Sequence, residues 1–160
     1  MITIEEIFDF PPETWLHSLP KYQQNTINEL YLNLDNYEEV AKVWLSASIP
    51  MNVPFGTEKG HSVFYDKVLD ELEALFTGEE RYKDTRLALL KESGAVQNYV
   101  VGLISVAFVP ILGTSSAFLA PIIALALLTI TKVGINAWIA KRKEAKNTLT
   151  IKEKDKLESN

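Results

Sequence analysis

Residues 93–131 read SGAVQNYVVGLISVAFVPILGTSSAFLAPIIALALLTIT, a run of 39 positions without Lys, Arg, Asp, Glu or His in a chain of 160 residues. Elsewhere the chain carries 16 Lys or Arg and 21 Asp or Glu, so the run stands apart from everything around it. A helix rises about 1.5 Å per residue, and roughly 20 residues cross a hydrocarbon core of about 30 Å, so a run of this length suits two crossings better than one. Gly113, Thr114, Ser115 and Ser116 divide it. They predict one helix over Ala95 to Leu112, a tight polar turn, and a second helix from about Ala117 onward, with Pro110 and Pro121 flanking the turn.

The flanks set an orientation. Arg81, Lys83, Arg86 and Lys91 precede the run, Lys141, Arg142, Lys143 and Lys146 follow it, and the turn has no positive charge. The positive-inside rule then keeps both termini in the cytoplasm and places Gly113 to Ser116 outside, with Tyr99 and Trp138 near the inner interface. Two alternatives stay open: an apolar hairpin buried in a soluble domain, and a single span with an amphipathic continuation. The first requires amphipathic partners with spare apolar surface. The preceding helices carry single apolar stripes, mostly needed for packing one another.

Polar positions inside the hairpin are candidate contact or pore-facing residues. Asn98, Gly102 and Ser105 share one face of the first helix, and Thr129, Lys132 and Asn136, at i, i+3 and i+7, fall on one side of the second. Ser116, Ala120 and Ala124 form a row of small residues that permits close helix approach. A charge at the bilayer centre costs about 2.5–3.5 kcal/mol, so Lys132 either snorkels to the inner surface or borders a water-lined path in an oligomer. Lys141, Arg142, Lys143 and Lys146 are candidate lipid-headgroup contacts at about 1 kcal/mol each, or simply an orientation signal. The rest of the tail alternates in charge and predicts frayed helix or disorder.

Charge divides the chain in the same places. Residues 1–92 hold 8 Lys or Arg against 17 Asp or Glu, whereas residues 132–160 hold 8 against 4. An acidic head argues against direct nucleic-acid binding, which needs a concentrated positive face. The absence of cysteine excludes disulfides and thiolate metal sites. The opening MITIEEIFDFPPE is acidic where a cleavable export signal is basic, and predicts none.

The head reads as a succession of short helices. Thr3 and Glu6 have capping-box spacing ahead of IEEIFDF, and Pro11 and Pro12 end that helix and open another over PPETWLHSL. Ile27, Leu30, Tyr31 and Leu34 put an apolar stripe on a helix from about Lys21 to Leu34. Asp35 is the expected cap of the next helix, with Val40, Val43, Trp44 and Ala47 on its stripe. After the loop IPMNVPFGTEKGH, Ser62 is the expected cap of a helix burying Phe64, Val68, Leu72, Leu75 and Phe76, with Gly78 past its end. EERYKDTRLALLKES forms the last helix before the apolar run. The predicted fold is all-α: a small cytoplasmic helical domain over 1–92, a two-helix transmembrane hairpin over 93–140 and a basic cytoplasmic tail over 141–160.

No catalytic chemistry is expected. GTEKGHS at 56–62 departs from a phosphate loop, with three residues between its glycines and His61 in place of lysine. His61 with Asp66 and Asp70 reads as a solvated helix end, and His17 as packing or surface. Neither a metal site, a cofactor site nor a catalytic triad is predicted.

The layout of small helical head, two C-terminal spans and basic stub resembles two-transmembrane effectors of bacterial anti-phage systems, such as those accompanying some retrons. That resemblance implies a protein of the bacterial inner membrane, held silent by a cytoplasmic regulatory partner and released to permeabilise the bilayer, with copies associating through the hairpin. A membrane-anchored adaptor recruiting a partner through its acidic head or the 49–61 loop is the alternative. An immunity protein or a holin-like factor are lesser ones.

Overall fold

The computed structural model describes residues 2–48, 58–91 and 97–158. Every regular element among them is helical: α1 (Ile4–Ile7), a 3₁₀ segment (Pro12–Ser18), α2 (Lys21–Leu34), α3 (Tyr37–Ser48), α4 (Glu58–Thr77), a 3₁₀ turn (Glu80–Tyr82), α5 (Lys83–Lys91), α6 (Gln97–Leu112), α7 (Ser116–Val133) and α8 (Ile135–Glu158). The all-α expectation holds. The 49–57 part of the predicted loop and the predicted helix start at Ala95 lie outside the described residues.

Local chemistry explains most boundaries. Thr3 Oγ1 accepts from the Glu6 backbone N–H at 3.2 Å, capping α1 as its spacing predicts. Pro20 opens α2, which occupies the predicted range. Asp35 does not cap α3. It takes a left-handed conformation at φ 50° and ends α2, leaving Asn36 Oδ1 to accept from Glu39 N–H at 3.1 Å and start α3. Tyr37, Val40, Ala41 and Leu45 are the buried positions of α3, while Val43 and Ala47 are exposed, so the stripe is rotated from the expected one. α4 begins at Glu58, which puts Ser62 inside it, but the predicted core side of this helix is buried and Gly78 terminates it at φ +96°.

α7 is the central helix. Residues 121–128 are buried at every position, so this helix has no outward face over more than two turns. The Pro12–Ser18 segment, α3 and α6 pack along it, with α4 and α8 completing the enclosure. Phe64 of α4 meets Phe118 of α7 edge to face with ring centroids 5.8 Å apart. The expectation that the head has no apolar surface to spare is corrected here. Trp15, Leu16, Leu19, Val40, Ala41 and Leu45 are buried in one cluster with the α7 aliphatics. The reason is economy of length, since the Pro12–Ser18 segment needs only two turns to bring Trp15 and Leu16 against α7.

Two helices long enough to cross a membrane are expected from the 39-residue run. Among the described residues one, α7, is long and apolar enough, and α6 is apolar but shorter. At 16 and 18 residues, α6 and α7 measure about 24 and 27 Å.

Candidate functional site

The hairpin α6–α7 is the feature to which unusual chemistry attaches. Gly113 adopts φ +69°, a conformation that glycine enters freely, and Ser115 Oγ accepts from Phe118 N–H at 3.2 Å to start α7. The polar turn foreseen at 113–116 is thus built from one left-handed glycine and one serine cap.

Three hydroxyls within the hairpin are satisfied by their own helices. Ser105 Oγ donates to Val101 C=O at 2.7 Å, Thr129 Oγ1 to Leu125 C=O at 3.0 Å and Thr131 Oγ1 to Leu127 C=O at 2.8 Å. Back-bonding of this kind leaves no hydroxyl proton in need of water. Protein interior and lipid are comparably apolar solvents for such a helix. Exposing the seven large aliphatics of α7 that are 0% exposed, Leu119, Ile122, Ile123, Leu125, Leu127, Leu128 and Ile130, to water costs roughly 10–20 kcal/mol. Moving them from protein to hydrocarbon costs far less. Beyond this apolar burial, α7 is tied to the head by polar contacts.

Those ties gather at its C-terminal end. Trp15 Nε1 donates to Thr131 Oγ1 at 2.7 Å. The Lys132 ammonium lies 4.8 Å from the ring centre of Tyr37 and 5.4 Å from that of Tyr31, and the two rings stack with centroids 4.1 Å apart. The lysine is exposed and closes over aromatic faces from α2 and α3, a cation–π arrangement. Tyr37 is pushed above the usual phenol range, chiefly by burial and then by Glu13, which keeps it neutral. Beside the Trp15 bond, at the neighbouring residue, Gln97 Nε2 donates to Thr14 Oγ1 at 3.0 Å and ties the start of α6 to the Pro12–Ser18 segment.

The other predicted positions are dispersed. Asn98 and Gly102 are exposed on α6 whereas Ser105 is 1% exposed, so the three do not present a common open face. Exposed Tyr99 and Val106 share one side of α6 with Gly102, and Ile111 is exposed near the end of the helix. Ser116 and Ala120 are half-buried, and Ala124 is enclosed by the bundle. Gly134, at φ +95°, ends α7 one residue after Val133 and separates Asn136, on α8, from Thr129 and Lys132. The one-sided row of Thr129, Lys132 and Asn136 assumed an unbroken helix, and Gly134 removes that continuity.

The tail is ordered as helix through Glu158 rather than frayed. Its basic cluster meets α4: Arg142 Nε donates to Glu73 Oε1 at 2.8 Å and its Nη2 to Asp70, while Lys146 Nζ reaches Glu73 Oε2 at 2.7 Å. Arg142 also lies 5.3 Å from the ring centre of buried Trp138. Burial pushes the Glu73 carboxyl up, but the hydrogen bonds from Lys146 and Arg142 outweigh it and hold the group below the usual carboxylate range. Lys141 and Lys143 are exposed.

A second carboxylate, Glu71, is buried on the other side of α4 and receives Arg81 in a two-pronged pair at 2.6 and 3.1 Å together with the Tyr82 hydroxyl at 2.7 Å. His61 is buried rather than solvated, apart from exposed Asp66 and Asp70, and its Nε2 has no hydrogen-bond partner among the described residues. Among those residues no three His, Asp or Glu side chains converge as a metal site. Comparison with protein-family models, with curated proteins and with solved structures returns no match.

Proposed function

We propose that this chain is a membrane-active helical effector that shelters its most apolar helix within its own fold and delivers the α6–α7 hairpin to a bilayer when the polar ties to the head are released. The observation that carries the reading is the enclosure of α7, uncharged but for Lys132 in its last turn, beneath short helices, with its polar fastenings concentrated at Trp15–Thr131 and Lys132–Tyr31/Tyr37. The exposed apolar outside of α6 supports it, because Tyr99, Val106 and Ile111 offer a bilayer an uncharged first contact. In this reading the inner membrane of a bacterium is the target, both termini stay cytoplasmic, a regulatory protein controls release, and copies associate once inserted. Anti-phage defence is the setting that the layout suggests.

The test uses the absence of cysteine. A Thr14→Cys/Gln97→Cys variant, joined by a short thiol crosslinker, pins α6 to the Pro12–Ser18 segment. The free form is expected to release dye from lipid vesicles and, on induced expression, to collapse membrane potential, while the crosslinked form releases none. Absence of leakage from the parent chain, both alone and after the ties are cut by substitution, rejects the proposal.

A second reading is favoured by the continuity of the core: α7 stays where it is, and the protein is an adaptor whose acidic head recruits a partner. Equal partner recruitment by crosslinked and free forms, with no membrane effect from either, supports that reading.

A further inference from the structure

The cations of α8 are shared between two roles. Lys141, Arg142, Lys143 and Lys146 fall within six residues, interrupted by the single anion Glu144. Arg142 and Lys146, one helical turn apart, point at α4 and engage Asp70 and Glu73, while Lys141 and Lys143 stand exposed beside them. The groove between α4 and α8 is lined by Asp66, Asp70, Trp138, Arg142, Lys146 and Leu149. A surface dense in phosphate charge therefore meets Lys141, Lys143 and the half-exposed Lys146, and competes with two carboxylates for Lys146 and for the more shielded Arg142.

We propose that this basic turn of α8 docks on an anionic lipid bilayer and that docking exchanges Asp70 and Glu73 for lipid phosphates, detaching α8 from α4. The inference rests on the membrane reading above and names its lipid class and its trigger. Glu73 is mostly shielded and bound by two cations, so the exchange requires many phosphates presented together. A bilayer supplies that density, and an isolated phosphate does not. Gly134 allows α8 to leave without turning α7, since the chain there is non-helical. The released carboxylates join the acidic head, where they are repelled by the same surface and disfavour reclosure.

The experiment uses the full chain with Val63→Cys on α4 and Leu149→Cys on α8, both at exposed positions, labelled with a fluorophore pair. Vesicles of phosphatidylcholine containing phosphatidylglycerol are expected to lower energy transfer between the labels; vesicles of phosphatidylcholine alone and inorganic phosphate are expected to leave it unchanged. Asp70→Asn/Glu73→Gln removes the internal competitor and is expected to tighten binding to the anionic vesicles several-fold. Lys141→Gln/Lys143→Gln spares the α4 contacts and is expected to weaken it about tenfold or more, given about 1 kcal/mol per cation near such a surface. Unchanged energy transfer in the vesicle-bound protein, equal binding to neutral vesicles, or opening by inorganic phosphate overturns the proposal. Leakage with α4 and α8 still in contact overturns this inference and leaves the proposed function standing. Opening without leakage does the reverse.

Discussion

Trp15 Nε1 sits 2.7 Å from Thr131 Oγ1, joining the second helical element of the chain to the last residue of its uncharged run. The bond spans 116 positions in sequence and is, like that from Gln97 to Thr14, a direct hydrogen bond between head and hairpin. The Thr131 hydroxyl accepts from Trp15 while donating to Leu127 C=O, so one side chain serves both its own helix and the contact across the fold.

Thr131→Val keeps the shape of that side chain and leaves the indole N–H, on a residue 1% exposed, without its acceptor. An unsatisfied buried donor costs about 1–3 kcal/mol, and about 2–4 °C in Tm accompanies each kcal/mol in a chain of this size. Calorimetry should show a fall of several degrees, with vesicle leakage increased and Thr131→Ser restoring both. Unchanged Tm and leakage remove the bond from the closure of the fold.

Lys132→Leu separates two roles for the lysine. If the ammonium fastens α7 by lying over Tyr31 and Tyr37, its loss weakens closure by about 0.5–2 kcal/mol and raises the rate of dye release. Tyr31→Ala should act in the same direction. If Lys132 instead borders a conducting path, the leucine variant inserts normally and leaks less. Vesicle flotation together with dye release distinguishes the outcomes.

The Glu73 network predicts an acid limb. Its folded carboxyl titrates below its unfolded value, so the stabilisation it gives is present above about pH 4.5, the ordinary value, and is lost as pH falls through the lowered folded value. Asp66 and Asp70 from α4 and Lys141, Arg142 and Lys146 from α8 border the same groove. Fluorescence between labels on α4 and α8 should report separation in that acid range. Glu73→Gln should remove the part of the pH dependence due to this group, and a profile identical to the parent's rejects the assignment.

Glu71→Gln tests a fastening within the head. The variant weakens a charge-assisted pair with Arg81 and the acceptor of Tyr82 O–H, at a position 8% exposed. Because Arg81 itself is largely solvated, the expected loss is about 1–3 kcal/mol rather than that of a fully buried pair. Thermal unfolding followed by circular dichroism measures it. The effect should be on stability throughout, with no change in lipid preference.

Local signals carried much of the fold. The i, i+3, i+4, i+7 stripe placed α2, Phe64 to Phe76 marked the buried side of α4, and the Gly113–Ser116 cluster located the hairpin turn. What escaped the sequence was of two kinds. Asn36 and Asp35 are both good helix-end residues, and only the left-handed turn at Asp35 decides between them. The Arg142 and Lys146 contacts with α4 bridge about seventy positions, a separation at which a basic tail facing lipid and one facing carboxylates look alike. Gly134 is itself a readable signal, since an isolated glycine between apolar and charged stretches is a helix stop.

That stop has a mechanical meaning. A continuous rod from Ser116 to Glu158 would oblige the greasy half and the salted half to reorient as one body, dragging the seven cations of α8 toward hydrocarbon or holding the apolar half back in water. Gly134, at φ +95°, gives the chain two helix axes in place of one, so that in the proposed reading α7 tips into a bilayer while α8 lies flat along its face.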